Sequence, residues 1–205
     1  MRKKSHIALA NYLLHQMPES EVHKHKLSFY LGSILPDIKP SFIYKRHEYF
    51  GTIDDVRKLA EDMVNRKTTS KRKKRKYYRD LGQLSHYLSD YFTFPHNINF
   101  EDTMTEHIHY ENRLKHGLRA HVKKVKRTPR RNIELPTHKE IFDFIEKQHA
   151  EYLKNKSNVE NDIRNIIEVN RQAIAAIEKL HEKNKAKWQY ASRFGGSDGG
   201  KKASK

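Results

Sequence analysis

Glycine and proline, the residues that most restrict regular structure, are almost missing from the interior of this chain. Of 8 glycines, four fall in the terminal stretch GGSDGGKKASK, and the 6 prolines lie between periodic segments rather than inside them. Long runs free of helix breakers, with apolar residues three and four apart, predict a mostly helical protein. A first helix carries Ile7, Leu9, Ala10, Leu13 and Leu14, is capped by Ser5 and ends near Pro18. A second runs from about Glu21 to Ile34 and is stopped by Pro36. Thr52 with Asp55 reads as a weak capping box, Thr103 with Glu106 and Thr137 with Glu140 as better ones. Tyr78, Leu81, Leu84, Ser85 and Leu88 recur at helical spacing up to Pro95, behind a basic front read as a solvated loop or helix end. Val159, Ile163, Ile166, Ile167, Ile174 and Ile177 form the stripe of a last helix, to about Trp188, whose role is core packing. No strand pattern of useful length and no internal repeat is visible. The expectation is an all-α fold: a single-domain multi-helix bundle over residues 1–193, a metal site between its helices, and a flexible Gly/Lys-rich tail over 194–205.

The 205 residues fit one domain, and 36% hydrophobic residues, including 11 Tyr and 9 Phe, can build a core despite the formal charge of +17. No stretch approaches the 18 apolar residues of a membrane span, and the basic start MRKKSHIALANYLLHQMPES lacks the long apolar region of a signal peptide. A cytoplasmic location is therefore expected. Zero cysteines exclude disulfides, thiolate zinc sites and cysteine nucleophiles, so any metal must be held by His, Asp, Glu, backbone or water.

Against that background, 14 histidines are unusual. Residues four apart on a helix share a face, so H-x-x-x-D/E offers an imidazole and a carboxylate to one metal. His86 with Asp90, His107 with Glu111 and His15 with Glu19 have this spacing. About 1.7 such pairs are expected by chance from the composition, and the His15 pair straddles Pro18. Single pairs are therefore weak evidence, and the ordinary alternative is a surface helix pair. Their company is stronger evidence. His86, His96, His107, His109, His116 and His121 crowd into 36 residues, the first three among carboxylates and apolar groups, in the texts SHYLSDYFTFPHN and EHIHYENRL. Several carboxylates and imidazoles buried together are costly unless paired or metallated, which favours a polynuclear cation site. Upstream, Asp37 follows a helix-stopping proline in LGSILPDIKP, His47 stands in KRHEYF, and His6 opens the first helix.

The order of these motifs, SHIALA, GSILPDI, a lone His, HYLSDYFTFPH and HIHYE, resembles the zinc-dependent phospholipase C family, whose wider relatives include single-strand nucleases with three zinc ions. The resemblance spans roughly Ser5 to Leu118. It implies that Asp37, His47, His86 and Asp90 surround one zinc and that His96, His107 and Glu111 surround a second. It further implies that His6, sharing Asp90 as a bridging carboxylate, begins a third. Secreted members complete that third site with the mature chain's own N-terminal residue, whereas here His6 follows Met1, Arg2, Lys3, Lys4 and Ser5, so two against three ions stays open. His109 rivals His107, but only His107 has the i,i+4 carboxylate. His15, His23, His25, His116, His121, His138, His149 and His181 read as surface or internally satisfied histidines.

Five imidazoles and three carboxylates around two or three zinc ions leave a formal charge of about +1 or +3, which suits an anionic phosphodiester. The resemblance implies hydrolysis by a zinc-activated water, with Asp37 as both ligand and proton acceptor. A phospholipid headgroup is the preferred substrate, with peripheral contact at an anionic membrane surface. The alternatives are a zinc-dependent nuclease or other soluble phosphodiesterase, or a noncatalytic basic helical protein that binds nucleic acid. The run Lys71 to Lys76, followed by Tyr77 and Tyr78 as stacking groups, speaks for nucleic acid. Charge alone does not separate the two, since both lipid and nucleic acid are anionic phosphodiesters. The oligomeric state is not legible.

Overall fold

The computed structural model describes residues 1–38, 48–98, 100, 103–124, 133–155 and 158–194. His47 lies outside the described residues, as does the tail from residue 195 onward. Seven α-helices follow in order: α1 (Lys3–Gln16), α2 (Lys26–Ile34), α3 (Tyr49–Val64), α4 (Lys71–Tyr91), α5 (Met104–Lys124), α6 (His138–Lys154) and α7 (Val159–Phe194). Among the described residues two 3₁₀ turns, Glu21–His25 and Phe94–His96, accompany them, and no strand occurs. The protein is all-α, as the breaker-free periodicity predicts.

Helix α4 runs through the middle and touches α1, α2, α3 and α7. Its face toward the core, Tyr77, Tyr78, Leu81, Leu84, Leu88 and Tyr91, is buried and joins Phe29, Phe92, Leu114, Phe142 and the isoleucine stripe of α7 in one apolar cluster. The closest approach is between α4 and α2. A Cβ on Gly82 would stand 2.2 Å from the Phe29 carbonyl oxygen, and one on Gly32 would stand 1.9 Å from the Arg79 carbonyl oxygen. Only glycine lets the two backbones touch there. This contact presses the end of α2 against the middle of α4.

Several local expectations are corrected. Ser5 is buried inside α1 rather than capping it, because the helix already begins at Lys3 with Arg2 as its flanking residue. Thr52 lies inside α3, where its hydroxyl donates 2.7 Å to the Glu48 carbonyl one turn back instead of opening a helix. The Glu21–Ile34 segment splits into a 3₁₀ turn, capped by Ser20, and α2. Thr103 makes a full capping box, its hydroxyl accepting from the Glu106 N–H and its own N–H donating 2.7 Å to the Glu106 carboxylate, whereas Thr137 caps α6 by accepting from the Glu140 N–H and donates its hydroxyl to the Glu140 carboxylate. Of the two readings of the basic run, loop or helix end, the second holds: it forms the first turns of α4. Cations there oppose the helix dipole. Buried Asp80, 2.6 Å from Arg66 Nη1 and 2.7 Å from Lys76 Nζ, together with Glu21, 3.1 Å from Lys74 Nζ, offset that cost. Tyr77 and Tyr78 are buried, at 1% and 4% exposure, so neither ring is a platform for a nucleic-acid base.

Candidate metal centre

Two groups of potential ligands lie side by side where α1, α4 and α5 meet. His6, from the first turns of α1, stacks on His86 of α4 with ring centroids 3.9 Å apart. Asp90, one turn after His86, brings its Oδ1 3.4 Å from His6 Nε2 and its Oδ2 3.2 Å from His86 Nε2. Asp37, just past α2, stands 3.6 Å from the same His86 nitrogen. Beyond Asp90, His96 of the second 3₁₀ turn and His107 of α5 both address Glu111 Oε1, at 3.3 and 3.4 Å. His96 Nδ1 is also 3.9 Å from Asp90 Oδ2, so Asp90 faces both groups. Seven of the eight residues singled out from the sequence thus converge, and the eighth is His47.

These spacings bear on what the site could hold. Ligand atoms about 2.0 to 2.2 Å from a tetrahedral zinc lie about 3.3 to 3.6 Å from one another. Charge-assisted hydrogen bonds are shorter, about 2.7 to 2.9 Å. The imidazole–carboxylate separations of 3.2 to 3.6 Å fit ligands around a cation better than direct bonds. His6 adds a second sign: it is 1% exposed, and neither ring nitrogen makes a hydrogen bond among the described residues. Nitrogen and oxygen donors of this kind suit zinc.

Each imidazole is aimed by what lies behind it. His86 Nδ1–H donates 2.9 Å to the Ser33 carbonyl, so Nε2 turns its lone pair toward Asp90 and Asp37. The Gly32–Gly82 contact brings that carbonyl within reach. Ser85, buried beside it, donates 2.8 Å to Asn170 of α7, which in turn donates 3.3 Å to Ser89 Oγ. The turn carrying His96 is tied down by Asp162 of α7. Its Oδ2 accepts from the Phe94 N–H at 2.9 Å and the Tyr110 hydroxyl at 2.9 Å, and its Oδ1 accepts from the Tyr152 hydroxyl at 2.7 Å. Asn97 donates to the Tyr91 and Thr93 carbonyls, while its Oδ1 sits 2.9 Å from His149 Nε2. The last helix therefore supplies polar supports as well as apolar packing. Asp162 and Asn170 carry no signal in the sequence, because their partners lie far along the chain. Asn97, directly after His96, could have been noticed.

Met1 was not expected here. Its backbone amine is 2.7 Å from Asp90 Oδ1, 3.0 Å from Glu111 Oε1 and 2.7 Å from His96 Nε2. The five residues ahead of His6 do not keep the chain's first residue from the centre, since Arg2 is extended and turns it inward. Burial disfavours ionised Asp90, but the Met1 ammonium and the imidazoles of His96, His86 and His6 outweigh it and hold the carboxyl well below its ordinary range. Glu111 is likewise depressed, against burial, by His107, His96 and the Met1 amine. Burial and the neighbouring His86 push His6 down to about 3, which keeps its ring neutral and ready to ligate. Asp162 moves the other way: burial raises it to about 6 despite its three donors.

The centre opens into a cleft of about 870 Å³. Asp37, His96, His107 and Glu111 lie on its floor, Phe100 and Met104 on its apolar wall, and Arg2, Lys3, Lys4 and Lys115 around it. His109 points to solvent, so His107 is the α5 histidine that faces the carboxylates. His149 and His181 are buried and satisfied, the latter by the Arg66 carbonyl at 3.1 Å. No described helix is long and apolar enough to cross a membrane.

A family model described as zinc dependent phospholipase C matches residues 5–159. The matched stretch takes in both ligand groups and ends at the first residue of α7. No curated protein matches the chain, and no solved structure does.

Proposed function

The chain belongs to the zinc-dependent phospholipase C family, and from that premise we propose that it hydrolyses the phosphodiester of a phospholipid headgroup, with His6, Asp37, His47, His86, Asp90, His96, His107 and Glu111 holding two or three zinc ions. One observation carries the reading: Asp90 presents Oδ1 to His6 and Oδ2 to His86 and His96, as a carboxylate shared between neighbouring cations must.

When bound, zinc lowers the pKa of a coordinated water toward neutrality and draws charge from the phosphoryl oxygens. Asp37, on the cleft floor beside His86, accepts the proton that the attacking water gives up. Ser33 fixes the ring that Asp37 faces, and Asp162 fixes the turn that carries His96, so both sides of the phosphoryl group meet preset side chains. The cations around the cleft draw an anionic diester toward the floor. The same positive surface supports peripheral contact with an anionic membrane.

Purified protein should carry at least two equivalents of zinc by elemental analysis. It should release phosphorylated headgroup from short-chain phosphatidylcholine or phosphatidylinositol, losing that activity on chelation and regaining it with zinc. Full hydrolysis by metal-free protein, or a preparation that binds zinc but cleaves no phosphodiester, would overturn the reading. Preference for single-stranded oligonucleotides over every lipid would move it to the nuclease branch.

A further inference from the structure

Arg2 and Lys115 reach the same atom. The Arg2 guanidinium donates to Asn112 Oδ1, and Lys115 Nζ donates to that oxygen at 3.4 Å. Among the described residues neither cation meets a carboxylate, although Lys115 follows Glu111 by one helical turn, the spacing at which an ion pair is ordinarily made. Glu111 is engaged elsewhere, with His96, His107 and the Met1 amine. Two positive groups are thus gathered on one neutral amide, an arrangement whose repulsion an anion seated between them relieves. The position is on the cleft: both side chains line it beside His107 and Glu111, and Lys3 and Lys4 add further charge of the same sign. A guanidinium and an ammonium side by side match the oxygens of a phosphate or carboxylate.

We propose that Arg2 and Lys115, held together by Asn112, form a second anion subsite next to the metal centre and select phospholipids whose headgroup carries a negative charge of its own. The inference rests on the hydrolase reading, since the scissile diester itself must sit on the metal side of the cleft. A choline headgroup, with its fixed positive charge, meets repulsion in this place. A phosphorylated headgroup spans both sites, its diester at the floor and its second phosphate between Arg2 and Lys115.

The test uses soluble headgroups, so attraction to a lipid surface does not enter. Calorimetric titration of the zinc-loaded protein with inositol 1,4-bisphosphate and with inositol 1-phosphate should give at least tenfold tighter binding of the bisphosphate. The ratio should fall toward one in Arg2→Gln/Lys115→Gln. Asn112→Leu, which keeps both charges but removes the shared acceptor, should reduce it partway. In turnover, monomeric short-chain phosphatidylinositol 4-phosphate should exceed phosphatidylcholine in kcat/KM by a similar factor, and the double variant should erase that preference. Equal binding of the two inositol phosphates by the parent, or an unchanged ratio in the double variant, overturns the subsite. If phosphatidylcholine is cleaved in a zinc-dependent way as well as the phosphorylated lipid, the subsite fails while the hydrolase reading stands. If zinc is absent and no diester is cleaved, the hydrolase reading has failed instead. Single-stranded oligonucleotides cleaved better than the phosphorylated lipid would also overturn the lipid assignment.

Discussion

His6, His86 and Asp90 lie at 0 to 1% exposure between helices, whereas His96, His107 and Glu111, again two imidazoles and a carboxylate, are 13 to 25% exposed where they line an open cleft. The deep trio sits on two long helices and is pressed into place by a backbone contact that only glycine permits. The rim trio sits on a short 3₁₀ turn and the start of α5 and is held by hydrogen bonds from a distant helix. The same ligand types therefore depend on packing in one place and on polar supports in the other. The rim groups are open to solvent, while the deep trio is shielded from it and expensive to leave without a cation.

Breaking the deep side through its packing should have the largest effect. Gly82→Ala puts a methyl group 2.2 Å from the Phe29 carbonyl oxygen, so α2 must move off α4. We expect a loss of about 3 kcal/mol or more in denaturant unfolding, together with reduced zinc retention as Ser33 and Asp37 shift away from His86. Gly51→Ala, with nothing within 4 Å of its new methyl, should be neutral or stabilising by a few tenths to about 1 kcal/mol.

The shared carboxylate comes next. Asp90→Asn should lower zinc content by more than one equivalent in elemental analysis, since it faces both trios, and full metal with full activity in this variant would refute the bridging role. Glu111→Gln should cost only the rim ion and leave the deep one in place, which is the sharpest contrast between the two halves.

A smaller effect is expected from Asp162, through pH. Its carboxyl is raised from an ordinary value of 3.8 to about 6, so it contributes stability that is present below about pH 4 and is lost as pH rises through about 6. The parent should therefore lose about 3 kcal/mol relative to Asp162→Asn between pH 4 and pH 7, read as the difference between their unfolding curves. A flat difference would mean that its three donors keep it ionised throughout. The smallest effect belongs to the basic front of α4. Neutralising Lys71, Arg72, Lys73 and Lys74 together should raise KM for anionic vesicles and flatten the salt dependence, with kcat on a small chromogenic diester nearly unchanged. Stability should move by less than about 1 kcal/mol, since the Lys74–Glu21 pair is a partly exposed one.

The contrast also explains what could be read from the sequence. Helix periodicity, the capping boxes at Thr103 and Thr137, and the H-x-x-x-D/E pairs are local patterns, and they located α4, α5, α6 and the ligands on them. Asp37 and His6 became legible only through the order of motifs. What stayed hidden is long-range: the Gly32–Gly82 contact, the Ser33 carbonyl behind His86, and Asp162 behind the Phe94 turn each join residues from different helices. Thr52 misled because a threonine inside a helix can bond one turn back as readily as it caps. Tyr77 and Tyr78 misled because the basic run before them hid the start of a buried face.

The meeting of Met1 and Asp90, 89 positions apart in a chain with no cysteine, has a further consequence for durability. A cation held jointly by α1, α4 and α5 would close long loops in the way a disulfide does, but reversibly, and its hold on the native state would grow with the logarithm of free zinc. Such a cross-link is dissolved by dilution or chelation rather than by reduction. The lifetime of the folded chain would then follow the supply of metal around it, and starvation for zinc would remove the protein as well as silence it.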